Sequence, residues 1–230
     1  MENTKHLFIT NNISETESFM KRFKTNSRQY VILLFLGLAI TGCCHNQREM
    51  SLFDGKTLGH WKVTDFGGQG DVYVKDGSIF LETGSYITGI TWTGPLVRMN
   101  YEISLDAMRV SGSDFFCGLT FPVGDRPCTL ILGGWGGQLC GLSSIDHFDA
   151  SENETTRFIS FENGRWYHVI LRVTPDRIEA WLDNEQLVYL DTTGRDIDIR
   201  IEVELSQPLG IASWMTTGAV RNIKLRELEN

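Results

Sequence analysis

Between residues 51 and 228 apolar and polar positions alternate in short runs, and turn signals separate the runs. Residues 99–107 and 166–173 keep a period of two, the mark of strands with one buried face. Residues 72–74 and 78–81 flank Lys75-Asp76-Gly77, and Asp-Gly between apolar runs is a strong hairpin signal. Residues 177–183 and 186–190 flank a second turn at Asp183-Asn184-Glu185. Further strands are expected at 128–132, 139–142, 197–205, 210–214 and 220–228, with a glycine-rich turn at 133–137. In the strand through 115–121, Phe115, Cys117, Leu119 and Phe121 are expected to face the core. Asp114, Phe116, Gly118 and Thr120 then face outward. About 12 short strands at this spacing, with no sustained helical period, predict an all-β fold: a two-sheet antiparallel jelly-roll sandwich.

The chain before this region has a different character. Residues 31–40 are an apolar run of half the roughly 20 residues a membrane span needs. The run exits through Thr41-Gly42 into Cys43 and follows the basic stretch Met20-Lys21-Arg22-Phe23-Lys24. This pattern resembles a bacterial lipoprotein signal, with translation expected to start at Met20. The resemblance implies cleavage before Cys43, lipidation of its thiol and amine, and export with a lipid anchor on a bacterial membrane, at its periplasmic or outer-membrane face. Residues 1–42 are therefore set apart as extension and signal, 43–50 as a lipidated tether, and 51–230 as the sandwich domain.

Charge narrows the partners. The whole chain carries −8. Residues 1–42 hold five basic and three acidic side chains, so the remainder carries −10. An acidic body argues against nucleic acid as a partner, and leaves lipid rather than charge to hold a membrane. Of the five cysteines, Cys43 is the lipid candidate and Cys44 lies in the tether. Cys117, Cys128 and Cys140 form no metal-binding spacing and no disulfide framework.

Candidate chemistry clusters in the middle of the domain. Trp135 stands among four glycines, which presents its ring at a strand end, and flat aromatic rings suit the apolar faces of sugars. Trp214 and Glu204 are candidates for the same binding face. His147 is a candidate general base, because a neutral imidazole titrates near physiological pH. Asp114 or Glu204 is its candidate carboxylate partner, since adjacent residues rarely orient each other, and Asp146 beside it is a further catalytic candidate. Asp146, Asp149, Glu152, Asn153 and Glu154 offer hard oxygen ligands for a structural calcium, although the spacing is not that of an EF-hand. No motif requires a cofactor.

Two segments resemble known domains. Leu52-Phe53-Asp54-Gly55-Lys56-Thr57-Leu58, with Trp61 and the strand-turn-strand Val74-Lys75-Asp76-Gly77-Ser78-Ile79, is similar to the opening of the 3-keto-disaccharide hydrolase domain family. Asn163-Gly164-Arg165-Trp166-Tyr167-His168-Val169, running on to Trp181-Leu182-Asp183-Asn184, resembles the back-sheet hairpin of concanavalin A-like and laminin-G-like domains. The resemblance implies a concanavalin A-like fold, export, and cleavage of glycosides whose sugar is oxidised at carbon 3, by a hydrolase or a lyase/hydratase route. A glycan-binding module without turnover and an envelope scaffold remain open beside it, because fold alone does not choose function.

Overall fold

Asp76 and Gly77 take φ of 49° and 73°, the twist that a two-residue hairpin turn needs. The structure, a computed structural model, describes residues 49–229. The proposed signal, Cys43 and the tether as far as Arg48 lie outside the described residues.

The strands are β1 (Glu49–Ser51), β2 (Trp61–Val63), β3 (Val72–Lys75), β4 (Ser78–Leu81), β5 (Ile87–Trp92), β6 (Tyr101–Ser111), β7 (Cys117–Val123), β8 (Arg126–Gly133), β9 (Leu139–Ser143), β10 (Arg157–Phe158), β11 (Trp166–Thr174), β12 (Arg177–Leu182), β13 (Glu185–Asp191), β14 (Gly210–Trp214) and β15 (Thr217–Glu227). They form the two-sheet antiparallel sandwich that the alternation predicts. The first sheet runs β13-β12-β11-β6-β15-β4-β3, with β1 beside β15. The second runs β10-β9-β8-β7-β14-β5-β2. Glu49 and Met50 thus belong to the domain, paired with Arg226 and Leu225.

The main core lies between the sheets. Tyr101, Ile103, Leu105 and Ala107 of β6 and Tyr167, Val169, Leu171 and Val173 of β11 face Cys117, Leu119 and Phe121 of β7 and Cys128, Leu130 and Leu132 of β8. Trp61 and Trp92 pack edge to face at 5.2 Å in the same core. Cys117, Cys128 and Cys140 are free and buried there, and burial pushes each thiol up to about 12.

Two strand expectations are corrected. Strand β7 begins at Cys117, and the alternation slips just before it. Phe116 enters the main core, whereas Phe115 joins a second apolar cluster on the outer face of the second sheet. The Phe116 amide donates to the Leu132 carbonyl just ahead of the first strand pair, Cys117 with Leu132, so regular alternation begins only at Cys117. Residues 197–205, patterned like a strand, instead end in a 3₁₀ helix, Ile201–Ser206. Only Val203 and Ser206 of that helix are buried; Ile201 and Leu205 are exposed. Ile197 bridges to Ile145, and the segment crosses the outer face of the second sheet to bury Val203 with Ile131 and Ala212.

Candidate functional site

The second cluster makes the site. Ile87, Phe115, Ile131, Leu139, Ala150, Val203 and Ala212, with Phe66, Ile199 and Trp214 at its margin, form an apolar layer outside the sandwich core. A cleft of about 240 Å³ opens in this layer. Its floor carries Ile131, Thr129 and Ser143 from β8 and β9, and its walls carry Phe115, Trp135 and Trp214. Asp114, Arg200 and Glu202 supply its charged groups. An apolar concavity with a few convergent polar groups is the usual form of a small-ligand site.

Trp135 is presented by a strained turn. It takes φ 48° and ψ 51°, between Gly133 at φ 78° and Gly136 at φ 90°. A bulky residue in this region costs energy unless its surroundings hold it there. Asp114 does so: its carboxylate accepts from the Gly136 amide at 3.1 Å and from its own neighbour, the Phe115 amide, at 2.8 Å. The turn is also anchored to the first sheet. Arg109, buried at the end of β6, donates to Gly137 O at 3.2 Å, to Phe161 O at 2.5 Å and to Asn163 Oδ1 at 2.6 Å. A Cβ on Gly137 would sit 2.8 Å from that guanidinium and 2.9 Å from the Ser113 carbonyl, so only glycine fits. The Trp135 ring stays 47 % exposed, with the Arg200 guanidinium 5.8 Å from its centre.

Arg200 organises the opposite rim. It forks onto Glu202 at 2.7 and 3.1 Å and reaches Asp149 at 2.5 Å. The Glu202 bonds hold the guanidinium firmly protonated, and the fork in turn draws the Glu202 carboxyl below its ordinary range. Among the described residues Ser143 Oγ, buried in the cleft floor, has no hydrogen-bond partner.

The structure therefore brings Asp114, Trp135 and Trp214 to one cleft. The other expected site residues lie outside its lining. His147 is exposed at a loop tip with φ 70°, its Nε2 3.4 Å from Asp196. Asp146 is tied to the Arg195 Nε at 2.7 Å and to the Asp196 amide at 2.8 Å, so it buttresses the loop rather than orienting an imidazole. Glu204 is exposed on the 3₁₀ helix, and Glu202, two residues earlier, faces the cleft in its place. The acidic loop expected for calcium is occupied by arginines: Arg195 pairs with Asp146 and Glu154, and Arg200 with Asp149. Among the described residues no cluster of three or more His, Cys, Asp or Glu is arranged to hold a metal. Arg200 and Glu202 escaped the sequence reading because a strand pattern placed them in a sheet.

An open antiparallel sandwich with an aromatic-walled cleft outside one sheet defines a concanavalin A-like class of domain. The chain belongs to the 3-keto-alpha-glucoside-1,2-lyase-like domain family, whose model matches residues 49–226. No match was found among curated proteins. Among solved structures, a candidate glycosyl hydrolase from Parabacteroides distasonis is 14% identical, with a TM-score of 0.50 over 79% of this chain and 94% of that one. The apo Crh5 transglycosylase is 10% identical, with a TM-score of 0.52 over 80% of this chain and 85% of that one. A candidate beta-glucanase from Mycobacterium abscessus is 10% identical, with a TM-score of 0.50 over 78% and 98% of the two chains. At these identities the likeness is one of fold.

Proposed function

We propose that this domain cleaves 3-keto-glycosides by 1,2-elimination at the bacterial cell envelope, with the oxidised ring seated in the cleft. The observation that carries the reading is the Arg200–Glu202 pair facing an aromatic-walled cleft in a chain of this family. A carbonyl at C3 acidifies the hydrogen on C2. Glu202, the carboxylate beside Arg200 at the cleft, takes this proton, as a weaker base than an unpaired carboxylate because the fork lowers its pKa. Arg200 donates to the C3 oxygen and stabilises the negative charge that develops there. The enolate then re-forms the carbonyl as the C1=C2 double bond forms and the C1–O bond breaks; the departing oxygen takes a proton from water, and Glu202 returns its own to solvent. The products are a 1,2-unsaturated 3-keto sugar and an alcohol. Trp135 stacks on the ring, and Asp114 holds the turn that presents it. Ser143 Oγ, unpartnered in the floor, offers a hydrogen bond to a ring substituent.

One observation favours a second reading, a glycan-binding module without turnover. The Asp114 carboxylate already accepts two backbone N–H groups, and Glu202 is bound to Arg200. Both readings are tested by giving the purified domain, residues 49–230, an aryl 3-keto-α-glucoside and its unoxidised counterpart, and following aryl alcohol release and tryptophan fluorescence together. Release from the oxidised compound alone, lost in Glu202→Gln, supports elimination. Fluorescence quenching without release, weakened in Trp135→Ala, supports the binding module. Release that persists undiminished in Glu202→Gln overturns the proposed base.

The envelope location rests on the 31–43 pattern. Mass analysis of the envelope fraction is expected to find a diacylated Cys43 at the mature N-terminus, and Cys43→Ser is expected to leave the precursor uncut. An intact, unmodified Cys43 in the wild-type protein removes the lipoprotein assignment.

A further inference from the structure

The cleft floor holds one polar group that the sandwich itself does not use. Thr120 of β7, Thr129 of β8 and Ser143 of β9 stand in register across the second sheet, and all three are buried. They alternate with Leu119, Leu130 and Leu142 of the main core, so they share the outer face. The Thr120 and Thr129 hydroxyls satisfy each other at 2.9 Å. Ser143, at the end of the row and 1 % exposed, has no such neighbour. Ser206 Oγ, Ser213 Oγ and Arg177 Nε are also buried without a partner, but among the described residues only the Ser143 hydroxyl belongs to the cleft lining. A hydroxyl left unpaired in an apolar layer weakens a fold, and alanine would fill the same position without that cost. The use of this hydroxyl therefore lies with what fills the cleft.

We infer that Ser143 is a specificity-determining residue that reads the C4 hydroxyl of the bound sugar ring. The choice of position rests on the elimination reading. There Arg200 takes the C3 oxygen, Glu202 takes the C2 hydrogen, and the group on C1 must leave through the mouth of the cleft. C1 and C4 are opposite corners of a pyranose ring, so a ring with C1 at the mouth turns C4 to the floor. The C6 carbon, carried on C5, then faces a side wall. Arg200 already holds the carbonyl, so the group that meets Ser143 is a hydroxyl, which can both donate to Oγ and accept from it. A ring without a C4 hydroxyl would leave Oγ unpaired and now sealed beneath a ligand, and sites built to bond a hydroxyl reject analogues that lack it. Ser143 touches no bond that breaks; it sets which ring is held.

The test uses three methyl α-glycosides of 3-keto-glucose: the parent compound, its 4-deoxy form and its 6-deoxy form. Dissociation constants come from stopped-flow tryptophan fluorescence, read before turnover, and cleavage is followed separately. Wild-type protein is expected to bind the parent and the 6-deoxy form alike, and the 4-deoxy form about tenfold more weakly. Ser143→Ala is expected to bind all three alike, near the weaker of the wild-type values. Thermal unfolding supplies a readout that separates this role from a structural one. Ser143→Ala is expected to melt no lower than the wild type, whereas Thr129→Val, which strands the Thr120 hydroxyl, is expected to melt lower. A wild type indifferent to the C4 hydroxyl, a wild type that penalises the 6-deoxy form instead, a Ser143→Ala variant that keeps the tenfold preference, or one that melts as low as Thr129→Val each overturn the assignment. Parent compound that is bound but not cleaved defeats elimination, while the 4-deoxy comparison still decides the role of Ser143. Wild-type protein that binds none of the three defeats both.

Discussion

The two outward faces of the sandwich are built on opposite plans. On the first sheet, charges face solvent and satisfy one another. Glu102 holds Arg172 and Arg226 at 2.8 and 2.6 Å, and Asp106 holds His168, Arg221 and Asn222. Trp166 and Trp181 lie beneath Arg221 and Arg172, at 4.1 and 5.0 Å. On the second sheet, the outer face is an apolar layer, roofed by the segment that bears Arg200 and Val203. On the charged face Glu102 and Asp106 are neutralised within the sheet, and Arg177 Nε is the group left unpartnered among the described residues of that face. The apolar face carries more greasy surface than its roof covers, and leaves a buried serine hydroxyl unpartnered. The comparison teaches that aromatic residues alone do not mark a site: Trp166 and Trp181 are capped by arginines from their own sheet, while Trp135 and Trp214 line open space.

The largest expected effect separates two neighbours that face opposite ways. Phe116→Ala is expected to cost about 3–5 kcal/mol in urea unfolding, because it empties the main core. Phe115→Ala is expected to cost less than half as much but to remove the cleft wall and most ligand affinity. Equal unfolding costs would mean that the two layers are one. Next comes Arg109→Met, which deletes the tie between the first sheet and the Trp135 turn. It leaves two carbonyls and Asn163 unpaired and is expected to cost about 3 kcal/mol, with weakened glycan binding as a second readout. Gly136→Val has open space for its side chain but not for its backbone, since φ is 90°. The strain is expected to cost about 1–2 kcal/mol in thermal unfolding, and a variant as stable as the wild type would show that the turn relaxes freely.

The smallest effect belongs to the charged face. Burial alone raises the Asp106 pKa, but the bonds from His168, Asn222 and Arg221 outweigh it and leave the carboxyl below its ordinary value. A depressed folded value means that this stabilisation is complete above the unfolded value near 3.9 and is lost as pH falls through the lower folded one. Thermal melts between pH 5 and pH 2 are expected to show this acid loss in the wild type and a shallower one in Asp106→Asn. Parallel curves would assign the acid sensitivity elsewhere.

What the sequence could show follows from range. The Lys75-Asp76-Gly77 hairpin and the alternation of β6 and β11 are local, and they appear in the structure with bounds within a few residues. The positive φ values of the 133–137 turn were equally visible in its glycines. Phe115 and Phe116 were exchanged because their faces depend on where pairing with Leu132 of another strand begins, which no local period records. Ile197, Ile199, Ile201, Val203 and Leu205 alternate like a strand. The segment nevertheless turns into a 3₁₀ helix over the second sheet, and this carries Arg200 and Glu202 to the cleft. Pro208, which follows in a cis linkage, was the one local sign that the run stops short.

The three core thiols have a consequence for handling the protein. With pKa values pushed up to about 12, they are almost entirely protonated at neutral pH, and burial keeps oxidants and metals away. Unfolding removes both protections at once. Three thiols then become free to pair wrongly, between chains as well as within one, and unfolding in air turns from an equilibrium into a one-way loss. Stability of this domain in an oxidising compartment is therefore set by how rarely the sandwich opens, and reversible unfolding is expected only with a reductant present.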